Sequence, residues 1–444
     1  MAAMHGLAPR EPPPIRTALY EASTSLGTTG LTHITRGAEE IGSEWREAGE
    51  HWTRVVAWLR ERREASGRRQ AQIDQGDGPH RLASEGRTVT LGGFGAGLFI
   101  RNGQLLIKQG TSYSTEPAED ETLARGLHNV TTLVWIVNGG AGSLSVQALK
   151  WCAQQAVTVV LITDRGQCLA VVHPAPDASP ALGIPGRQWR QIGNRAGQLD
   201  VRLRRAQYAL QPTGRDIVIA RRLIRAKIAA QASTALAHPE LPDQRRAVEA
   251  CHIALAWLEL EPATPFLSDL LGVRILEGKA AQGYFAGWVG LALRVEAKAR
   301  ERWPKPWLTV ATRQSPLTRF QSPRRAANPA QAILNWCYAL LETQMRQSLN
   351  VIGADAACGI LHADEAGRDS LVFDAMEPLR GAVEHLVLSF WQDHVFGAGD
   401  FQADTAGVVL IHPTLQQVLV EACRLPQRRV DESARELREW ILGN

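Results

Sequence analysis

After an N-terminal stretch with few aliphatic runs, short apolar runs alternate with turn residues, which is the pattern of β-strands. Asn102 and Gly103 separate two such runs, and because both residues tolerate positive φ they predict a tight hairpin. Two β-branched runs follow at 130–137 and 157–163, and the segment between them spaces its apolar residues along one helical face. The pattern predicts a small strand-rich unit with one helix, over residues 88 to about 175.

Beyond Pro185 the pattern changes to apolar positions at i, i+3 and i+4 with arginine or lysine on the other side, which is typical of amphipathic helices. The second unit is therefore expected to be mainly α-helical and to run close to the C-terminus. The predicted helices cover VRLRRAQYALQ, RDIVIARRLIRAKIAAQAS, RRAVEACHIALAWLELE and EGKAAQGYFAGWVGLALR, and then residues 329–350 and 371–393.

The first 85 or so residues carry consecutive prolines, few aliphatic runs and a long polar stretch, which favours a partly disordered extension. The alternative is that residues 43–63 form a short amphipathic helix that serves as a docking helix. Together these patterns predict an α+β fold, with a small N-terminal β-rich domain followed by a larger, mainly α-helical domain. The expected divisions are 1–87 for the extension, 88–183 for the β-rich domain and 184–444 for the helical domain.

Composition narrows the class of protein only slightly. The 444 residues are 45% hydrophobic and 21% charged, as in ordinary soluble proteins, and the net charge of +4 permits nucleic-acid binding without demonstrating it. Six scattered cysteines without a C-x-x-C pair indicate reduced thiols of a cytoplasmic protein. No secretory h-region and no long apolar run is present, so we expect neither secretion nor a membrane span.

One stretch, GILHADEAGRDSLVFDAMEP, concentrates acidic residues around a histidine. Asp374 and Glu377 are three residues apart on a predicted helix, so their carboxylates share a face and repel unless a cation compensates them. His362 ends an apolar run, and Glu342 lies beside the buried stripe of the preceding helix. One imidazole with two or three carboxylates suits Mg²⁺ or Mn²⁺, which can promote phosphoryl transfer.

A purely structural interpretation of the same residues is also open. His362 would be a capping or core histidine, and Asp374 and Glu377 would pair with Arg380 and Arg368. Taken on residue types and spacing alone, this interpretation is the favoured one.

Arginines occur in runs on either side of these residues, and phosphate backbones need several such cations. One run spans two predicted helices between Arg202 and Lys227, and a second precedes Glu342. A charge run is usually only a solvated face, so the DNA interpretation is a hypothesis. The arginines that it assigns to DNA binding are Arg221, Arg222, Arg225, Arg313, Arg324 and Arg325.

Three blocks of the chain resemble the CRISPR-associated integrase family, the Cas-one proteins. QSPLTRFQSPRRAANPAQAILNWCYALLE is similar to the family wording SP…NPxNALLNYxYALLE, and GILHADEAGRDSLVFDAMEPLR to GxLHxxxxxRDSLVxDLMEPxRP. Weaker likeness extends upstream, so the resemblance covers about residues 88 to 410. Departures at Gln331, at Trp336 and Cys337, and at Gly381 leave every matching acidic residue and histidine in place.

The resemblance implies a metal-dependent DNA endonuclease and integrase that inserts short DNA fragments, or spacers, into a CRISPR array by 3′-hydroxyl transesterification. Glu342, His362 and Glu377 match the residues that hold Mg²⁺ or Mn²⁺, and Asp374 matches an adjacent catalytic acid. Also implied are dimerisation through the β-rich domain, a catalytic helical domain, and binding of a prespacer duplex and of CRISPR repeat DNA. A Cas-two-like partner is expected as well.

Two other functions remain open at this stage. One is a stand-alone relative, of the transposon-integrase type, that cuts or joins branched DNA. The other is a catalytically silent DNA-binding scaffold, against which the intact Glu342, His362 and Glu377 argue.

Overall fold

The computed structural model describes residues 87–110, 120–137, 142–173, 200–259, 267–312, 325–365 and 368–443. The helix predicted at 43–63 and the domain divisions near 87 and 183 lie at or outside the edges of these ranges. Those divisions therefore stay predictions. Within the described residues, a strand-rich part precedes a mainly helical part, as expected from the sequence.

Two four-stranded sheets make up the strand-rich part. In one sheet β1, β5 and β7 are parallel and β8 is antiparallel to β7; the other has the order β4-β3-β2-β6. The elements are β1 (Arg87–Leu91), β2 (Gly97–Arg101), β3 (Gln104–Lys108), β4 (Glu121–Leu123), β5 (Val130–Val137), β6 (Ser143–Leu144), α1 (Val146–Gln154), β7 (Thr158–Thr163) and β8 (Cys168–Val172).

Local sequence signals in this part are confirmed. Asn102 and Gly103 join β2 to β3 with φ of 52° and 77°, the left-handed turn that the dipeptide favours. Ser145 caps α1 by accepting a hydrogen bond from the backbone of Ala148.

The helical part contains nine α-helices among the described residues and a small hairpin. They are α2 (Val201–Tyr208), α3 (Arg215–Ala237), α4 (Gln244–Glu259), α5 (Leu270–Ala286), α6 (Ala297–Arg302), α7 (Pro329–Ile352), α8 (Ser370–Asp393), β9 (Phe401–Ala403), β10 (Val409–Ile411), α9 (Pro413–Cys423) and α10 (Gln427–Leu442).

One predicted helix is wrong in its bounds. We expected a helix from Glu277 to Arg294, whereas α5 starts at Leu270, where Asp269 caps the amide of Gly272, and ends at Ala286. Glycines at 287 and 290 follow, and Gly290 adopts φ of 91°, which a helix does not accommodate. The apolar residues after Ala286 therefore belong to a turn and not to another helical turn.

Helices α3 and α8 form the most extensive helix–helix contact among the described elements. They approach so closely at Gly381 that a Cβ there would lie 2.7 Å from the backbone of Ala230. The sheet joins this bundle through α7, where the buried Gln347 donates a hydrogen bond to Thr158 of β7. No described helix combines the length and apolar content needed to cross a membrane.

We predict that Gly381→Ala destabilises the protein, by about 1–3 kcal/mol, because its methyl group has no room against α3. Gly278→Ala on α5 is the matched control, since a Cβ there meets no atom within 4 Å. That variant should gain up to about 1 kcal/mol from helix propensity. Denaturant midpoints of both variants test this, and equal shifts would contradict the close approach of the two helices.

Candidate metal centre

His362 is held from behind by a fully buried carboxylate. Asp374 of α8 lies 2.5 Å from Nδ1 of His362 and accepts the backbone N–H groups of Ile360, Leu361 and His362, at 2.5, 3.0 and 3.0 Å. Both carboxylate oxygens are thereby occupied by donors. Because Nδ1 of the imidazole is engaged, Nε2 is the nitrogen left to bind a ligand.

The loop that carries His362 folds tightly onto the start of α8. A Cβ at Gly359 would overlap the carbonyl oxygen of His362 and the side chain of Ser370, so only glycine fits there. The Ser370 hydroxyl donates to the carbonyl of Ala363, and Asp364 accepts from the amide of Gly359. This packing fixes the backbone from which the imidazole projects.

The family resemblance matches Asp374 to a catalytic acid next to the three metal ligands. The structure places its carboxylate at the centre of four donors, behind His362. Such a residue orients a ligand and has no vacant lone pair aimed at an ion. The spacing of three residues placed both acids on a buried face, but it did not distinguish their roles.

Glu377 is buried together with its own cations. Its Oε1 lies 3.0 Å from Arg380 and its Oε2 lies 2.7 Å from Nζ of Lys227 on α3, which also pairs with Glu277 of α5. Burial alone would raise the pKa of Glu377, but Arg380 and Lys227 outweigh it and hold this pKa below its ordinary value. Glu377 is therefore ionised, and its Oε2 still accepts no aligned hydrogen bond among the described residues.

Sequence reasoning missed Lys227 as part of the site and placed it in a surface run of cations. Its side chain is only 6% exposed, because it continues the buried stripe of Ile224, Ile228 and Gln231 on α3. Burial lowers the pKa of a lysine, but Glu377 and Glu277 more than offset this, and the pKa of Lys227 is raised. Its position on the apolar stripe was the signal available in the sequence.

A second buried carboxylate continues this network along α8. Glu384 accepts a hydrogen bond of 2.5 Å from Tyr338 on α7 and bonds of 3.2 Å from Gln231 on α3. The Arg380 guanidinium lies over the Tyr338 ring at 5.0 Å and so links Glu384 to Glu377. Burial is the main cause that raises the pKa of Glu384.

Glu342 lies on α7 and is partly exposed. Arg346, one turn further along, bonds its carboxylate at 3.2 Å and also pairs with Asp369, the residue before α8. Arg346 thus connects the Glu342 carboxylate to the end of the loop that presents His362. Of the alternative pairings, Glu377 with Arg380 is present, whereas Arg368 pairs with Glu365 and not with Asp374.

The three predicted ligands are not drawn into one coordination shell. Among the described residues, no group of three or more histidine, cysteine or acidic side chains is arranged to hold a metal ion. His362 and Glu377 interact electrostatically, while Glu342 is held by Arg346. The donor types nevertheless fit Mg²⁺ or Mn²⁺: one backed imidazole, one buried carboxylate oxygen without an aligned hydrogen bond, and a second carboxylate.

Most described arginines that were assigned to DNA make contacts within the chain. Arg221 donates to the carbonyl of Leu258 at 3.0 Å, Arg225 pairs with Glu259, and Arg222 lies over the Trp440 ring. Arg325 is exposed, and Arg313 and Arg324 lie outside the described residues. Their role in DNA binding stays a prediction.

Comparison with protein families identifies what the chain is similar to. The family model described as "CRISPR associated protein Cas1" matches residues 185–423, which is more than half of the chain. The CRISPR-associated endonuclease Cas1 1 of Chlorobaculum tepidum is 28% identical over 306 residues, covering 67% of this chain and 76% of the relative.

Solved structures show the same fold. A casposase bound to integration product matches with a TM-score of 0.58 and 19% identity, over 80% of this chain and 90% of that one. A Cas1 protein from Thermotoga maritima matches with a TM-score of 0.51 and 13% identity, over 81% of this chain and 98% of that one.

We predict that Lys227→Met destabilises the protein by about 3–5 kcal/mol at neutral pH, because it removes one of the two cations that compensate the buried Glu377 carboxylate. In the wild type, the pKa of Glu377 is lower in the folded protein than in the unfolded chain. The ionised carboxylate therefore stabilises the folded state at any pH above the unfolded pKa, and this stability is lost as the pH falls through the folded pKa. The variant gives Glu377 a higher pKa, so the difference between the two proteins should shrink on acidification. Urea midpoints at pH 7 and pH 4 measure it.

The matched control for this lysine is Arg225→Met, which breaks an exposed ion pair and should cost at most about 1 kcal/mol. A gap between wild type and Lys227→Met that stays constant with pH would contradict the assignment of Glu377 as the partner that matters.

We predict that Asp374→Asn destabilises the His362 loop, at about 1–3 kcal/mol for each backbone N–H left unpaired, because one amide oxygen cannot serve four donors. Asp364→Asn, at an exposed position with one such bond, should change stability little. Hydrogen exchange at the amides of Ile360 and Leu361 reports the loop directly. Unchanged exchange in Asp374→Asn would show that these bonds do not hold it.

Proposed function

The chain belongs to the Cas1 family of CRISPR-associated proteins, and from that membership we propose that it is a metal-dependent DNA integrase and endonuclease. Its reaction inserts short DNA fragments into a CRISPR array by attack of a 3′-hydroxyl on a phosphodiester. The observation that carries this proposal is the pair formed by Asp374 and His362, which leaves Nε2 of the imidazole for a metal ion.

Glu342, His362 and Glu377 would hold Mg²⁺ or Mn²⁺ in this proposal. The ion, when bound, supplies a Lewis acid that stabilises charge on the phosphoryl oxygens. For Glu342 and Glu377 to bind it, their contacts to Arg346 and Lys227 must rearrange, since the two cations now share those carboxylates.

The side chains around these three residues have positioning roles. Asp374 fixes the imidazole plane and its tautomer, while Lys227 and Arg380 keep Glu377 ionised inside the bundle. Arg346 holds Glu342 toward the His362 loop. Glu342 and Glu377 are presented from packed helices, and the loop of His362 is bonded to α8 through Asp374, which favours alignment of the reacting phosphate.

The nucleophile in this reaction belongs to the DNA, so no serine or cysteine of the protein has to attack. The protein contributes binding, alignment and charge stabilisation, as in phosphoryl transfer generally. Arg221, Arg222, Arg225, Arg313, Arg324 and Arg325 remain the proposed contacts to DNA phosphates, which implies salt-dependent affinity. We further propose that the protein acts as a homodimer with a Cas-two-like partner, on a prespacer duplex and CRISPR repeat DNA.

The likeness to a casposase bound to integration product favours a second candidate. In that case the protein joins or cuts branched DNA on its own, without a CRISPR array or a partner. The two candidates share the same chemistry and differ in the target and in the need for a partner.

We predict that His362→Ala and Glu377→Gln abolish strand transfer of a short duplex into supercoiled plasmid with Mn²⁺. Asp374→Ala should lower it by about 10- to 100-fold, as removal of a residue behind a ligand does. Glu432→Ala, which removes an exposed carboxylate of α10 paired with Arg428 alone among the described residues, is the control and should keep wild-type activity. Wild-type rates in His362→Ala and Glu377→Gln would overturn the ligand assignment.

The same assay separates the two candidate functions. Dependence of the product on a CRISPR repeat target and on an added Cas-two-like protein supports the first. Equal activity on branched DNA lacking a repeat, with no partner, supports the second.

A further inference from the structure

A cation that no sequence motif singled out is bonded to the loop that carries His362. Arg274 is exposed on α5, three residues before Glu277, which pairs with Lys227. Its Nε donates a hydrogen bond of 2.6 Å to the carbonyl of Leu361, the residue directly before His362. This bond ties one nitrogen of the guanidinium to the loop residue that precedes the imidazole.

We propose that Arg274 binds a DNA phosphate next to the one that reacts. The inference rests on the proposed function, since it requires DNA at this site. It adds a substrate-binding residue that lies on a helix other than those bearing the proposed ligands.

The guanidinium has the donors that this role requires. The bond to Leu361 uses Nε, and the two Nη groups have no hydrogen-bond or ion-pair partner among the described residues. Because the planar guanidinium is held at Nε, its two Nη groups point in a fixed direction. Their N–H groups can then donate in parallel to two oxygens of one phosphate. Arg380, by contrast, is only partly exposed and is committed to Glu377.

The surface around Arg274 supports contact with a nucleic acid. Leu271 and Ile275 are 62% and 39% exposed on the same side of α5, and Gly278, one turn on, leaves open space. At about 100° per residue these positions share one helix face. In DNA each phosphate is flanked by deoxyribose rings, so apolar side chains next to Arg274 could pack against a sugar while the guanidinium contacts the phosphate.

A purely structural role, in which Arg274 only ties α5 to the His362 loop, makes a different prediction. It would affect every DNA equally, whatever the charge at any one phosphate. A direct contact instead couples the arginine to one position in the DNA, and a double-mutant cycle measures that coupling.

The test measures binding of a branched duplex, built to mimic a strand-transfer product, by fluorescence anisotropy in EDTA. Single methylphosphonates, which remove one phosphate charge, are placed in turn at positions flanking the junction. We expect Arg274→Ala to weaken binding of the unmodified DNA by roughly 10- to 100-fold, as loss of a hydrogen bond to a charged group does. At one or two positions, Arg274→Ala and wild type should bind the modified DNA equally.

Two further variants sharpen the result. Arg274→Lys keeps the charge but loses the fork, so its affinity should fall between those of wild type and Arg274→Ala. Lys279→Ala removes a cation from the same helix, about 140° around the axis, and should show no position-dependent coupling.

The outcomes separate this inference from the proposed function. If wild type binds and integrates DNA but the penalties of Arg274→Ala and methylphosphonate add at every position, Arg274 does not touch a phosphate and the proposed function stands. If wild type binds no branched or linear duplex at all, both are wrong. Equal melting temperatures of wild type and Arg274→Ala exclude unfolding as the cause.

Discussion

The ion pair between Lys227 and Glu377 is the constraint on which the helical part depends. Two opposite charges inside a bundle are tolerated only if each keeps a partner, so α3 and α8 must meet at these residues. Gly381 allows that approach, and Glu277 brings α5 to the same lysine. Glu384 repeats the arrangement two turns along α8 with Tyr338 and Gln231. The polar interior thus sets the register of four helices, which apolar packing alone leaves adjustable.

The same interior keeps the proposed ligand Glu377 charged and in place without an ion. Carboxylates that face one another repel, and resident cations keep them ionised and in place. Asp374 belongs to the supporting structure, because its four donors come from the loop that it shapes. His362 then depends on α8 for its direction and on Gly359 for the turn that carries it. Arg274 closes this arrangement from α5 by bonding the loop at Leu361.

Local patterns in the sequence predicted the hairpin at Asn102 and Gly103, strand β5 and helices α7 and α8, because those elements depend on near neighbours. The family blocks likewise indicated His362 and Glu377. The position of Lys227 on the apolar stripe of α3 was visible in the sequence, but its partner is 150 positions away in the chain and cannot be identified from spacing. The end of α5 was misplaced for a related reason, since apolar residues continue past the glycines that stop the helix. Asp374 was placed on the correct face and matched to an adjacent catalytic acid, and only its hydrogen bonds reveal that it supports the loop of His362.

Strand β5 has a consequence for how the two parts of the protein depend on each other. Leu133 and Trp135 contribute to the core of the strand-rich part, while Val134 and Ile136, on the opposite face, contribute to the core of the helical part. A single extended segment therefore belongs to two cores at once. Separating the two parts would expose an apolar face of the sheet to water, which is unfavourable. Unfolding of the sheet would remove the side chains of β5 that pack against the helical core. A change in packing on one face of β5 therefore affects the core on its other face.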